Sequence, residues 1–173
     1  MILQKELKKM SKSKILEVFK LFNKNWWVVD GLWFSVVEEE FGLETVQKVN
    51  LKVSERMAPV LAKNITEFLG LRKDKISDLT KALKFLPWLT IQKTQIKVLN
   101  KNEALFSVIE CIPQKTRIKK GLKEFPCIDL GLTFFTRFAQ TINQKVKVEC
   151  VTCPPKPHPK NLWCQWRFKL EKC

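Results

Sequence analysis

Four cysteines near the C-terminus have the residue type and spacing of ligands to a single metal ion. Cys150 and Cys153 form a C-x-x-C pair, and Cys164 returns to them from beyond a proline-rich turn. Cys127 lies just before a predicted helix, whose N-terminal dipole favours a thiolate. Because four cysteine sulfurs bind zinc tetrahedrally in structural sites, the sequence predicts zinc held by Cys127, Cys150, Cys153 and Cys164. An iron–sulfur cluster is a second use of the same thiols.

The same cysteines have other interpretations. Free cysteine is often a small core residue, and alternation along two strands would account for Cys150 and Cys164 in that way. It would not account for Cys153, which lies in a polar turn. His158 lies between prolines of that turn and could replace one thiol, although a histidine in such a loop more often faces solvent.

Cys111 is the internal thiol that a four-thiol site does not use. It is a candidate nucleophile, with Arg117 or Lys119 lowering its pKa. Its neighbour Glu110 falls on the opposite face of the predicted strand and cannot easily act as a base. The pattern therefore favours Cys111 as a core or pocket residue, and it leaves open whether the protein is an enzyme.

Two predicted hairpins position these thiols. Strict alternation over 146–150 and 162–170 indicates antiparallel strands, with the prolines of 154–159 in the loop. Alternation over 88–99 and 103–112 indicates a second pair. The apolar phase changes along the first of these strands, which predicts a bulge near Thr94.

Helical periodicity fills most of the remaining chain. Four helices are predicted before residue 88: about 13–27, from the cap Asp30 to Gly42, about 44–69 with an interruption at Pro59, and 76–86. The inward residues of the third are predicted to be Val46, Val49, Val53, Met57, Val60, Leu61, Ile65 and Phe68. A fifth helix, capped by Asp129, has the apolar face Phe134, Phe135, Phe138, Ala139 and Ile142.

The order αααα-ββ-α-ββ predicts an α+β fold, with N-terminal helices packed on a four-stranded antiparallel sheet. Residues 1–173 are predicted to form one domain, with a helical part over 1–87 and a sheet and cysteine-rich part over 88–173. Aromatic side chains at the junction of the first helices are either core or the lining of an apolar ligand pocket. The predicted pocket residues are Trp26, Trp33, Phe34 and Phe135.

Composition restricts the function class. The formal net charge of +15 is spread along the chain, and no helix-turn-helix or basic-aromatic strand motif accompanies it. Nucleic-acid binding is therefore a secondary alternative. No apolar stretch approaches the ~20 residues that span a bilayer, and the N-terminus lacks the apolar core of a secretory signal. Clustered cysteines then indicate metal binding in the cytoplasm. A homodimer is among the assemblies that the sequence allows.

Several segments resemble a known family. They are DGLWFSVVEEEFG (30–42), EC-x-x-Q-x-x-R-x-x-KGL (110–122), FPC (125–127) and C-x-x-CPP-x-PHP (150–159). The chain resembles an uncharacterised bacterial and archaeal family similar to the aminothiazoline-carboxylate hydrolase-like proteins. More distantly it resembles the vinyl-reductase small-molecule-binding superfamily, which includes sensor domains for aromatic compounds and shares a fold with a vesicle-tethering component.

The resemblance implies a zinc site and a ligand class. In the aromatic-sensing relatives three cysteines and one acidic residue hold zinc, and the matching positions are Cys127, Cys153 and Cys164, with Cys150 in place of the acid. Four thiols make a structural site with no position open for catalysis. Relatives have Glu-Tyr where this chain has Phe134-Phe135, which further weakens a hydrolase function. The sequence thus predicts a zinc-stabilised protein binding a small apolar or aromatic ligand, with a hydrolase of cyclic C–N or C–S bonds as the alternative.

Overall fold

The computed structural model describes residues 2–171, which form helices on an antiparallel sheet. The helices are α1 Ile2–Lys8, α2 Lys12–Leu69, α3 Ile76–Leu83, α4 Ile112–Lys119 and α5 Ile128–Ile142, with a short 3-10 turn at Pro87–Thr90. The strands are β1 Lys93–Asn100, β2 Glu103–Glu110, β3 Val146–Thr152 and β4 Cys164–Leu170. The α+β class is confirmed, whereas the predicted order of four helices before the sheet and one within it is wrong.

The four strands pair antiparallel in the order β1-β2-β4-β3. The last hairpin is therefore inserted beside β2, so that Val108 of β2 is opposite Cys164 of β4. The register shifts between Lys93 and Thr94, which confirms the bulge predicted near Thr94. Further shifts lie between Val98 and Asn100 of β1 and after Cys150 in β3, where the strand approaches the proline-rich turn.

Helix α5 covers the inner face of the sheet. Its predicted apolar face is confirmed, because all five of those residues are buried: Phe134, Phe135, Phe138, Ala139 and Ile142. Gly131 lets this helix approach the sheet closely, since a Cβ there would overlap the indole ring of Trp166. The helix begins after Cys127, its N-cap, rather than after Asp129 as predicted.

Helix α2 replaces three predicted helices. Asp30 lies within it rather than at a cap, and the helix instead begins after Ser11, whose side chain accepts a hydrogen bond from Lys14 N. Gly42 has φ 80° and ψ 166°, outside the helical region, so the helix is two segments joined there. The predicted stop at Gly42 is thus a kink, and Pro59 lies inside the second segment without ending it.

The second segment of α2 buries a different face from the predicted one. Small side chains spaced four residues apart, Ser54, Ala58, Ala62 and Thr66, are buried together with Val46. The predicted core residues Val49, Val53, Val60 and Phe68 are exposed, while Met57, Leu61 and Ile65 pack at the edge of the core. Small residues bring two helix backbones close together, so burial here follows packing distance rather than hydrophobicity.

Two short helices fall outside the predicted elements. Helix α1 precedes α2, and α4 occupies the basic connection after β2, with Pro113 in its first turn, where proline is tolerated. The predicted strand over 88–99 begins only at Lys93, because residues 87–90 form the 3-10 turn.

Candidate metal centre

The four predicted ligands lie on or beside three structural elements. Cys127 caps α5, Cys164 begins β4, Cys150 lies near the end of β3, and Cys153 follows that strand. A backbone hydrogen bond from Cys127 N to Pro154 O, 3.0 Å long, fixes the turn after Cys153 against the start of α5. The ligands therefore join the last helix to both strands of the last hairpin.

The thiol of Cys153 is at the centre of this cluster. The residue is fully buried, and its thiol interacts electrostatically with those of Cys127, Cys150 and Cys164. Hydrogen bonds to Cys127 and Cys164 raise the pKa of Cys153. The hydrogen bond with Cys153 lowers the pKa of Cys164, which makes Cys164 the sulfur that ionises more readily of this pair.

Two N–H donors that the sequence analysis missed complete the surroundings of the sulfurs. The Gln114 side chain, in α4, donates from Nε2 to Cys127 Sγ at 3.1 Å, and Trp166 donates from Nε1 to Cys164 Sγ at 3.3 Å. Both side chains are almost fully buried. Donors of this kind stabilise negative charge on sulfur and orient metal ligands. Gln114 is the last residue of the motif C-x-x-Q that begins at Cys111, and this motif is the sequence feature that could have pointed to it.

The five cysteines of the described chain, residues 2–171, carry free thiols. Within those residues, no set of three or more His, Cys, Asp or Glu side chains already has the arrangement of a metal site. The sixth cysteine, Cys173, lies outside the described residues.

Cys111 lies beside the cluster and lacks the features of an activated nucleophile. It caps α4 and packs against the core, and burial raises the pKa of its thiol to about 12. Glu110 forms an ion pair with Lys115 and so is engaged away from it. Arg117, the predicted activator, instead pairs with Glu38. The nucleophile alternative for Cys111 requires a lowered pKa, whereas burial raises the pKa of this thiol.

His158 is engaged outside the thiol cluster. Its Nε2 atom lies 3.2 Å from Glu124 Oε1, and its ring packs on that of Trp163 with the centroids 5.0 Å apart. The alternative in which His158 replaces a thiol therefore has no support from these contacts.

The four predicted pocket residues do not line one pocket. Trp26 and Trp33 lie on the first segment of α2 with 62% and 70% of their surfaces exposed. Phe135 is buried in the core among Phe106, Trp166 and Phe168. The structure therefore does not bring these residues together, since both tryptophans are exposed on the first segment of α2 and Phe135 is in the core.

Phe34 is the member of that set at the junction of α2 with the rest of the fold. Its ring meets that of Phe125 edge-on with the centroids 5.2 Å apart, and the Arg117 guanidinium lies within 6 Å of both rings. Arg117 also makes a two-pronged ion pair with Glu38, including an Nη2–Oε1 distance of 2.8 Å. That hydrogen bond lowers the pKa of Glu38. These contacts anchor the first segment of α2 to Phe125, two residues before Cys127.

Comparison with known proteins assigns the chain to a family. The model of a family of unknown function, DUF6125, matches residues 8–170. The chain belongs to this family. No curated protein matches it. The fold of this DUF6125 chain is similar to that of a trafficking protein particle complex subunit 3 from Naegleria fowleri, solved covalently bound to palmitic acid, with a TM-score of 0.50 and 10% identity over 89% of this chain and 95% of that one. At this identity the likeness concerns the fold.

Helix α2 is long, but length alone does not make a membrane span. Across residues 2–171 no helix combines the length and the apolar character that crossing a bilayer requires.

Proposed function

We propose that this protein is a zinc-stabilised binding module rather than an enzyme, with Cys127, Cys150, Cys153 and Cys164 as the ligands. The observation that carries the proposal is the buried Cys153, in a turn that the Cys127 N–Pro154 O hydrogen bond holds against the start of α5, beside the N–H donors to the sulfurs of Cys127 and Cys164. The four cysteines belong to α5, β3 with the turn after it, and β4, so a bound ion would tie α5 to the last hairpin.

The donor set fits zinc. Structural zinc sites hold the ion with four thiolates at Zn–S bonds of about 2.3 Å, and these cysteines supply four sulfurs from the start of α5 and the last hairpin. Zinc binding would release the thiol protons, and the resulting thiolates would bind the ion directly. Gln114 and Trp166 supply the outer N–H groups that such sites use to orient their sulfurs. An iron–sulfur cluster, which four thiols also accept, is the alternative occupant.

A four-thiol site has no open position at which zinc could activate water, so the ion would be structural. The alternative function, hydrolysis of a cyclic C–N or C–S bond with Cys111 as nucleophile, would need a base beside that thiol. The nearby Glu110 is paired with Lys115, and the thiol is packed against the core. Binding is therefore the function that the geometry supports better.

The partner that we propose is apolar. The first segment of α2 exposes more large apolar side chains than a solvated helix needs, including Trp26 and Trp33. A small apolar or aromatic ligand and a cytoplasmic location stay predictions. For nucleic acid, the second alternative, the charge of +15 predicts weak association that disappears as salt rises.

Zinc content tests the proposal. The purified protein should contain about one zinc per chain, and Cys153→Ser should lose the metal and stability together, because zinc binding is coupled to folding. Cys111→Ala is the matched control and should retain the zinc. Elemental analysis with native mass spectrometry would measure metal, any retained ligand and subunit number together. A fully stable, metal-free wild-type protein would overturn the proposal.

A further inference from the structure

Seven apolar residues form one continuous row along the first segment of α2. Their spacing alternates between four and three residues without a break, and we call this row the α2 seam: Ile15, Phe19, Phe22, Trp26, Val29, Trp33 and Val36. Such a repeat averages 3.5 residues and marks the a and d positions of a coiled coil. The seam covers three heptads, or about 30 Å of helix.

The rest of the protein does not cover the seam. Each of its seven side chains is exposed, by fractions from 39% at Ile15 to 70% at Trp33. The residues that attach this segment to the fold, Phe34 and Glu38, lie on a different face of the helix. A 3.5-residue repeat is the spacing at which one helix packs along a second helix. The element that fits the exposed seam is therefore a helix rather than a sheet or a loop.

The distribution of charge along the segment indicates that the partner helix is the same segment of a second copy. Residues 12–25 carry four lysines and one glutamate, whereas residues 26–41 carry four acidic residues, of which Glu38 is paired with Arg117, and no lysine or arginine. Two copies aligned in opposite directions would place the basic half of each beside the acidic half of the other. Because the seam is centred next to Trp26, a two-fold axis near that residue would superpose the two rows.

The exposed area is sufficient for a dimer. If a large side chain offers roughly 150–250 Å², the exposed fractions of the seam, with Leu16 and Leu32 beside it, amount to about 800 Å². That value is about what each partner contributes to a stable interface of standard size.

We propose that the α2 seam binds the same seam of a second copy of this chain in an antiparallel coiled coil. This proposal names the apolar partner that the proposed function left unspecified. It rests on the proposed function only in taking that partner to be apolar. A membrane surface is the competing occupant of an apolar helix face. Lipid is disfavoured because the acidic half of the segment would be repelled by anionic headgroups, and a membrane-bound helix does not require a heptad repeat.

Sedimentation of the zinc-containing full chain tests the proposal. Wild-type protein should be dimeric at micromolar concentration, and Trp26→Glu with Trp33→Glu should raise the dissociation constant at least ~100-fold, because buried tryptophans dominate interface energy. Phe68→Glu is the matched control: this residue is 81% exposed but lies outside the seam, and its change should leave the dimer intact. Trp33→Gln, a milder change, should weaken the dimer even if the double variant loses helix content by circular dichroism.

Salt distinguishes the two orientations. In the antiparallel pair opposite charges face each other, so raising NaCl from about 0.05 to 0.5 M should increase the dissociation constant. A decrease would indicate a parallel pair and overturn the orientation. A monomeric wild type, a dimer unaffected by the seam changes, or binding of the monomer to phosphatidylserine vesicles that the double change abolishes would overturn the proposal. Zinc measured on the same samples reports separately on the metal centre, since the seam changes should leave it bound.

Discussion

The side chain of Gln114 donates a hydrogen bond to the sulfur of Cys127, 3.1 Å away, from a position where it is almost fully buried. The same amide donates to Phe125 O at 2.8 Å, and its oxygen accepts from Phe125 N at 2.9 Å. One residue of α4 thereby fixes both the backbone at Phe125 and the orientation of Cys127, a proposed ligand. Phe125 in turn packs on Phe34 of α2.

Replacing Gln114 by Leu should weaken both zinc binding and folding. The buried Phe125 N–H and C=O would lose their partners, which should cost about 2–4 kcal/mol of unfolding free energy. Zinc affinity should fall roughly 10–100-fold, as for other outer-shell partners. Chelator competition and urea unfolding would measure the two effects. Gln95→Leu, on exposed β1, is the control, and equal behaviour of the two variants would contradict the role of Gln114.

The ion pair of Glu38 with Arg117 should give a pH-dependent contribution to stability. The pKa of Glu38 is lowered in the folded state, chiefly by the hydrogen bond from Arg117, so the contribution is present above the unfolded pKa near 4.5 and is lost as pH falls through the lower, folded value. Glu38→Gln should therefore reduce the unfolding free energy above pH 5, by about 1 kcal/mol after allowance for solvent screening.

The difference between wild type and Glu38→Gln should shrink below that range. Urea unfolding at a series of pH values would measure it. Glu44→Gln breaks a fully exposed pair with Lys48 on the same helix and should leave stability unchanged. A difference that grows as pH falls would show that the sign is wrong.

Gly131 should not tolerate alanine. A methyl group there would overlap the Trp166 ring, so Gly131→Ala should lower the unfolding free energy by roughly 1–3 kcal/mol or more. Gly31→Ala makes the same change in α2, where nothing lies within 4 Å of the added carbon, and should stabilise by about 0.5–1 kcal/mol through helix propensity. Thermal unfolding of both variants would test this contrast, which equal shifts would refute.

Cys111 should react slowly with alkylating agents in the folded protein. Burial raises its pKa to about 12, and only the thiolate is nucleophilic, so its labelling by iodoacetamide at pH 8 should be at least ~100-fold slower than in denaturant. Peptide mapping by mass spectrometry would give the rate at this position. Rapid, stoichiometric labelling at neutral pH, with loss of thiazoline hydrolysis in Cys111→Ala, would favour the hydrolase instead.

The sequence by itself determined the local features of the fold. Alternation located both hairpins and the bulge at Thr94, and helical periodicity found the buried face of α5 from Phe134 to Ile142. The prediction of zinc ligands uses the same alternation, which puts Cys150 and Cys164 on one face of the hairpin and their polar neighbours on the other. These features depend on periods of two and 3.6 residues, which the chain carries in any context.

Tertiary structure alone decided which apolar faces are buried. The valines of α2 at 49, 53 and 60 have the hydrophobicity of core residues, yet the small Ser54 and Ala58 are buried because α5 packs closely there. Trp26 and Trp33 were expected near Phe135, but α2 runs through Asp30 without ending and carries them away from the sheet. Hydrophobic burial has no direction of its own, so the choice among apolar faces depends on the distances at which helices and strands pack.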